Sequence, residues 1–389
     1  MSDSMVPVEV REERDSFGLG TGVEAEEVQD ADQIRRPFDP DRIEVQTRNP
    51  TVDLLLSRIR TGRIDLQPDF QRRRGIWTDE RQSRLVESLL LRIPLPTLYA
   101  AEADDEQWVI VDGIQRLTTI SRFIEPGAIG AERLILRGLE YLGKSYDGAS
   151  FDELPGRLQT RLRETELVVH LIRLGTPEEV KFNIFARINT GGLPLSTQEL
   201  RHALIKGAAR KILKEWAATD EFTSATGGSV RTERMADREM VLRFIAFRLT
   251  NPADYSSQDF DDFLRTAMKQ LDNIPDPQLH TLHNEFTGSM RAAAAIFGRH
   301  AFRKQYPHTN NRFPINKAVF EAVAVNLAPL TDKQIETLTR KASKVNALFG
   351  ELMTDLTFER AVSQGTGDVA KVRLRFRAVN ELFHEVIDD

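Results

Sequence analysis

Asp112, Gly113, Gln115 and Arg116 bring a carboxylate, a conformationally free residue, a neutral amide and a fixed cation into one five-residue stretch. That combination suits phosphoryl chemistry. A carboxylate can hold Mg²⁺ or orient an attacking water, an amide can position that water, and a guanidinium binds phosphate oxygens through two donors at once. A second group comprises Arg187, Asn189, Thr190, Gly191, Gly192 and Arg201. Its glycines precede a capped helix, so its backbone amides and arginines would hold nucleotide phosphates if both groups faced one cleft. A third group is Phe70, Gln71, Arg72 and Arg73, an aromatic and an amide beside a run of arginines that continues to Arg74. It suits a nucleic-acid backbone, with a ring for stacking or for cupping a modified base. Each group also has a structural reading. Asp112 would cap its own helix, Thr190 to Gly192 would end one, and Phe70 and Trp77 would anchor a core beside a solvated arginine turn.

The elements that must position these residues follow from the spacing of apolar side chains. Residues 108–111 are a β-branched and aromatic run, Asp112 and Gly113 make a tight turn, and Leu117, Ile120 and Ile124 recur at helical spacing. Strand, turn and helix in that order leave free N–H groups at the helix start, where an anion binds. Gln115 and Arg116 would project from the first turn, and Arg116 is expected outside the core. Residues 51–59 read as a helix. A further helix starts at Thr78 with Asp79 and Glu80 in its first turn and stops before Pro94. Strands are expected at 97–101, 134–136 and 166–174, with a helix at 177–188. Ser196 and Glu199 have the spacing of a capping box. Beyond residue 206 the strand signal fades, and amphipathic helices are expected at 208–217, 238–249, 257–271, 279–297, 317–327 and 331–348. The fold class is α+β, with a mixed domain over 42–205 and an all-helical lobe over 206–389.

Composition narrows the function. The 389 residues are 40% hydrophobic and 29% charged, a globular balance, and no apolar run is long enough for a membrane span. The start of the chain reads as no signal peptide, so a cytoplasmic location is expected. The absence of cysteine excludes disulfides, thiolate metal sites and cysteine nucleophiles. The net charge of −6 is unevenly spread: residues 1–41 hold 12 acids against 4 bases, and the remainder is close to neutral at +2. Residues 1–41 are therefore expected to be a disordered acidic tail, the alternative being a segment that folds back over a basic face as a mimic of nucleic acid. Arg58 to Arg92 contains nine arginines against five acids, so a local basic face exists despite the acidic total. His280 and His283 with Glu285 lack a third clear ligand, and no metal site is expected there. No P-loop and no nucleophile elbow is present.

Three boxes in order, residues 64–77 with the helix to Pro96, residues 112–116, and residues 185–201, resemble the GmrSD-type restriction endonuclease N-terminal domain family. The resemblance extends, more softly, over residues 234–244, 313–320 and 365–377. It implies a ParB/sulfiredoxin-like core, an NTP as ligand with Mg²⁺, and a role in anti-phage defence by modification-dependent restriction. It also favours a DNA-sensing role for Gln71 and Arg72, with phage or modified DNA as partner. The family pattern at the central box is Asp-Gly-Gln-Gln-Arg, and this chain has Ile114 in the third place. His300, His308, Asn310 and Asn311 lack the surroundings of an HNH nuclease. The chain thus reads as an NTPase and sensor component that acts with a separately encoded HNH-type nuclease and is itself no nuclease; an oligomer is compatible with this. The alternative is a ParB-like DNA or nucleotide scaffold that binds without hydrolysis, which the missing amide at position 114 favours.

Overall fold

The computed structural model describes residues 10–14, 20–26, 43–66, 77–103, 107–188, 196–205, 207–232, 234–257, 259–307 and 309–389. Phe70, Gln71, Arg72 and Arg73 lie outside the described residues, as do Asn189, Thr190, Gly191, Gly192 and His308. The chain divides into two compact units, Arg36–Leu195 and Met1–Arg35 with Ser196–Asp389. The first is α+β and the second is largely helical.

The expected disordered tail is corrected at the residues described within it. Strands β1 (Glu12–Arg14) and β2 (Gly20–Glu24) pair antiparallel. Gly22 N donates to Glu12 Oε1 at 2.6 Å and its carbonyl accepts from Ile315 N at 2.9 Å, while Glu24 N donates to Ile315 O at 2.7 Å. Val23 is fully buried. Gly22 has φ +80, and a Cβ there would lie 1.7 Å from Ser229 O, so only glycine lets the strand approach this closely. An acidic composition does not preclude order when the acids find buried cations, and these do.

The mixed unit is built on a five-stranded sheet in the order β3 (Val45–Arg48), β7 (Val169–Ile172), β5 (Leu98–Glu102), β6 (Trp108–Asp112) and β4 (Ile64–Asp65). β3 with β7 and β5 with β6 are antiparallel; β5 with β7 and β4 with β6 are parallel. The interior strand β6 buries Trp108, Val109, Ile110 and Val111, so its continuous apolar run reflects a strand covered on both faces. Helix α1 (Val52–Arg60) buries Val52, Leu55, Leu56 and Ile59, one face at helical spacing, and is capped by Thr51. Helix α2 (Asp79–Leu90) starts at Thr78 as expected, with the Thr78 hydroxyl accepting from Arg81 N. Helices α3 (Ile114–Ile124), α4 (Gly143–Tyr146), α5 (Gly156–Glu164) and α6 (Glu178–Ile188) complete the unit. Residues 134–136 form no strand. Leu134 and Leu136 are buried anchors of a loop, whose backbone bonds run from Leu136 N to Ala149 O and from Gly148 N to Leu136 O.

The helical unit holds α7 (Thr197–Leu204), α8 (Ala209–Ala217), α9 (Asp220–Thr226), α10 (Ala236–Leu249), α11 (Phe260–Leu271) and α12 (Asp276–Phe297). It continues with α13 (Lys317–Leu327), α14 (Asp332–Arg340), α15 (Ala342–Leu352), α16 (Leu356–Ser363) and α17 (Val369–Asp388). This compact unit includes Ser196 onward, and within it Arg201 of α7 donates through Nε to Asp261 at 2.7 Å. The expected helix at 331–348 is two helices that meet at Lys341. Central to the core is α10, buried on all sides, with Phe247 4.7 Å from Phe376 and Phe244 5.2 Å from Phe286 between ring centroids.

Candidate functional site

β6 delivers Asp112 to the end of an interior strand, and Gly113 turns the chain into α3 with φ +94. A Cβ on Gly113 would lie 2.1 Å from Leu98 Cδ2, so both the backbone angle and the packing demand glycine. No side chain caps α3. Asp112 therefore does not cap its own helix. Its Oδ2 instead accepts from Arg116 Nη2 at 2.9 Å.

Arg116 departs from the expectation of an exposed phosphate ligand. Only 8% of the residue is accessible. Its guanidinium donates to the carbonyls of Pro96 and Thr97 as well as to Asp112. Burial lowers its pKa, and the Asp112 charge opposes that shift. The charge is thus spent within the protein, on holding the strand end and the Asp112 carboxylate. Asp112 keeps 40% of its side chain exposed, and its Oδ1 accepts no hydrogen bond among the described residues. Gln115 is half-buried on the first turn, whereas Ile114 is buried.

Sheet register adds residues that sequence reading missed. Asp112 pairs with Tyr99, Tyr99 with His170, and His170 with Thr47, so the four stand in one cross-strand row on one face of the sheet. The Tyr99 and His170 rings are 5.2 Å apart, and Thr47 Oγ1 lies 3.0 Å from His170 Nδ1. Tyr99 and His170 are half-buried between buried neighbours in β5 and β7, and no local sequence signal marks them. Behind the sheet's other end Arg58 covers the buried Trp108 ring at 4.3 Å, a cation–π contact from the arginine-dense segment.

Of the second group, Asn189 to Gly192 lie outside the described residues. Arg187 lies in α6, and Arg201 belongs to the other compact unit. Arg201 is buried, with donors taken by Asp261 and by Gln198 Oε1 at 2.5 Å. The capping box is present as expected: Ser196 Oγ accepts from Glu199 N and Ser196 N donates to the Glu199 carboxylate. Trp77 is half-buried, with Arg81 over its ring at 4.5 Å.

Residues 234–244 and 313–320 supply an ionic core to the helical unit. Arg243 bonds Glu239 at 2.8 Å and Glu26 at 2.6 Å, and lies 3.6 Å from Glu321. Glu321 also pairs with Arg375, and Lys317 lies 3.3 Å from Glu239. Lys304 bridges Glu24 at 2.7 Å and Glu359 at 3.1 Å. Burial by itself would raise the Glu239 pKa, but Lys317 and Arg243 hold it well below the usual carboxylate range. The i,i+4 spacing of Glu239 with Arg243 was visible in the sequence as a hint of it.

Residues 52–206 match the family model for the GmrSD restriction endonuclease N-terminal domain. The family expected from the three boxes is the one found, over a narrower span than expected, since the softer stretches beyond 206 lie outside it. No curated protein and no solved structure matches the chain. Among the described residues, no helix is long and apolar enough to cross a membrane.

Proposed function

We propose that the GmrSD-type domain of this chain binds and hydrolyses an NTP at the turn from Asp112 to Arg116, and that turnover couples to DNA recognition within a modification-dependent restriction system. The observation that supports this most is the Asp112 carboxylate, pinned on one oxygen by a buried arginine and exposed beside an uncapped helix start. The free N–H groups and dipole of α3 favour phosphate there. A single hard carboxylate fits Mg²⁺, which commonly takes one or two protein carboxylates plus substrate phosphates. When bound, the ion would neutralise phosphate charge. The chain's own residues do the positioning: Arg116 fixes Asp112, Gln115 orients a water from the first turn, and Tyr99 and His170 flank the site along the sheet. Asn189, Thr190, Gly191, Gly192 and Arg187 remain proposed phosphate contacts, and Phe70, Gln71, Arg72 and Arg73 the DNA contacts. A separately encoded HNH-type nuclease would act on the signal.

The second reading is a ParB-like clamp that binds without hydrolysis. Ile114 favours it, because a buried apolar side chain stands where the family pattern has an amide. Phosphate release from each of the four NTPs with Mg²⁺, with and without modified DNA, separates the two. Turnover with one preferred NTP that changes on adding DNA supports the first. Tight NTP binding without any phosphate release establishes the clamp.

A further inference from the structure

The helical unit contains a cavity of about 350 Å³ that the nucleotide reading does not use, walled in part by His300, Gln305, Tyr306, Asn346 and Gly350. Three of these residues carry buried polar atoms with no hydrogen-bond partner: His300 Nδ1, Gln305 Nε2 and the Tyr306 hydroxyl. All three are donors. Arg299 Nε donates to His300 Nε2 at 3.1 Å, which requires a lone pair on that nitrogen and leaves the proton on Nδ1. Burial and the charges of Arg299, Arg303 and Arg312 lower the His300 pKa, against a side-chain hydrogen bond with Asn310 that raises it. Burial, with Glu359 and Glu24, raises the Tyr306 pKa, so its hydroxyl stays protonated.

Three arginines act on the His300 side of the cavity, while Glu351 lines it and the charges of Glu24 and Glu359 reach Tyr306. Among the described residues, Arg299, Arg303 and Arg312 have no carboxylate within 4.0 Å. Arg303 is 3% exposed, donates to Phe313 O, Thr226 O and Ser229 Oγ, and leaves its Nε without an acceptor. Burial and Arg312 push its pKa down to about 10. A narrow cleft lined by His300, Arg303 and Gln305 lies beside the cavity. Buried donors without acceptors are costly to the fold, and several around one cavity mark a place for a ligand that brings acceptors.

We propose that this cavity binds a small ligand carrying a single phosphate group, held by the donors of His300, Gln305 and Tyr306 in the field of the three arginines. The three donor atoms are closed off in the free chain, so binding turns their side chains toward the cavity. Gln305 Nε2 and the Tyr306 hydroxyl have no hydrogen bond to lose in that motion, while His300 exchanges its contacts with Arg299 and Asn310 for the ligand. Glu351 also lines the cavity, and its charge disfavours a polyphosphate over a monoester.

Calorimetry and thermal melting of the full chain, with inorganic phosphate and with adenosine monophosphate as separate probes, test this. Expected is a rise in Tm with at least one probe and a measurable affinity. Gly350→Leu should abolish both, because position 350 is helical and the atoms nearest its Cβ would be those of Pro307 at 3.8 Å, an ordinary contact, so the new side chain is expected to fill the cavity with the fold intact. Tyr306→Phe should weaken binding about tenfold without lowering the Tm of the free chain, since the lost hydroxyl has no partner. Asp112→Asn should bind the probe as the wild type does, which keeps this site distinct from the nucleotide site. No stabilisation of the wild type, an unchanged response in Gly350→Leu, or a fall in Tm for free Tyr306→Phe would each overturn the proposal.

Discussion

Arg116 stands in the first turn of a helix and is nevertheless buried, because the strand end and the Pro96–Thr97 backbone close over it and use its donors. Truncating it leaves two carbonyls and the Asp112 carboxylate without their partner. Arg116→Ala is therefore expected to destabilise the mixed unit by about 1–3 kcal/mol, the usual cost of orphaned buried polar groups, and a denaturant melt measures it. Ile114→Gln places an amide in a buried site and should lower stability by about 1–3 kcal/mol with no gain in phosphate release. A faster rate at unchanged Tm would show that position 114 reaches the chemistry. At this scale the sequence made Asp112, Gly113 and Gln115 legible as a turn at a helix start, since strand and helix periodicities meet there. It did not reveal which way Arg116 points, because the closing carbonyls of Pro96 and Thr97 lie twenty and nineteen residues away in the chain. Tyr99 and His170 were hidden for the same reason: only register places them beside Asp112.

Among the elements, α2 illustrates a helix that organises a loop. Glu87 accepts from Glu140 N at 2.9 Å, Tyr141 N at 2.7 Å and Leu142 N at 2.7 Å. Burial alone would raise its pKa, but those three N–H groups and Arg84 outweigh it and lower it. A carboxylate with a depressed folded pKa contributes stability above its unfolded value of about 4.3, and that contribution is lost as pH falls through the folded pKa. The stability difference between wild type and Glu87→Gln should accordingly be largest near neutral pH and shrink below about pH 4. A difference independent of pH would show that the carboxylate charge plays no part. The β1–β2 hairpin is a second such element. Removing residues 1–26 strips Glu24 and Glu26 from the buried Lys304 and Arg243, and breaking buried pairs of this kind costs about 3–5 kcal/mol. A lowered Tm for the truncated chain is expected; an unchanged Tm would return these residues to the status of an inert tail. Capped helices such as α1 and α2 were legible because their signals are local. The hairpin was not, since its acids make sense only beside Arg243 and Lys304, more than two hundred residues further on.

At the scale of the whole molecule, an acidic total hides two differently organised units. The arginine-dense segment belongs to the mixed unit, and the buried ion pairs belong to the helical one. If DNA is sensed through residues 70–73, Gln71→Ala should leave basal NTP hydrolysis within about twofold while removing its response to DNA, because a coupling of ~1–3 kcal/mol can vanish with both sites intact. Loss of basal hydrolysis would place Gln71 in the catalytic site. The central claim, that nucleotide is processed at the Asp112 turn, is tested most directly by the rate of phosphate release from Mg·NTP by Asp112→Asn, measured on protein whose melting temperature matches the wild type. A fall of about a hundredfold or more, with the fold intact, is the result expected for removal of a group acting at the reacting phosphate. Wild-type turnover in that variant would contradict the account.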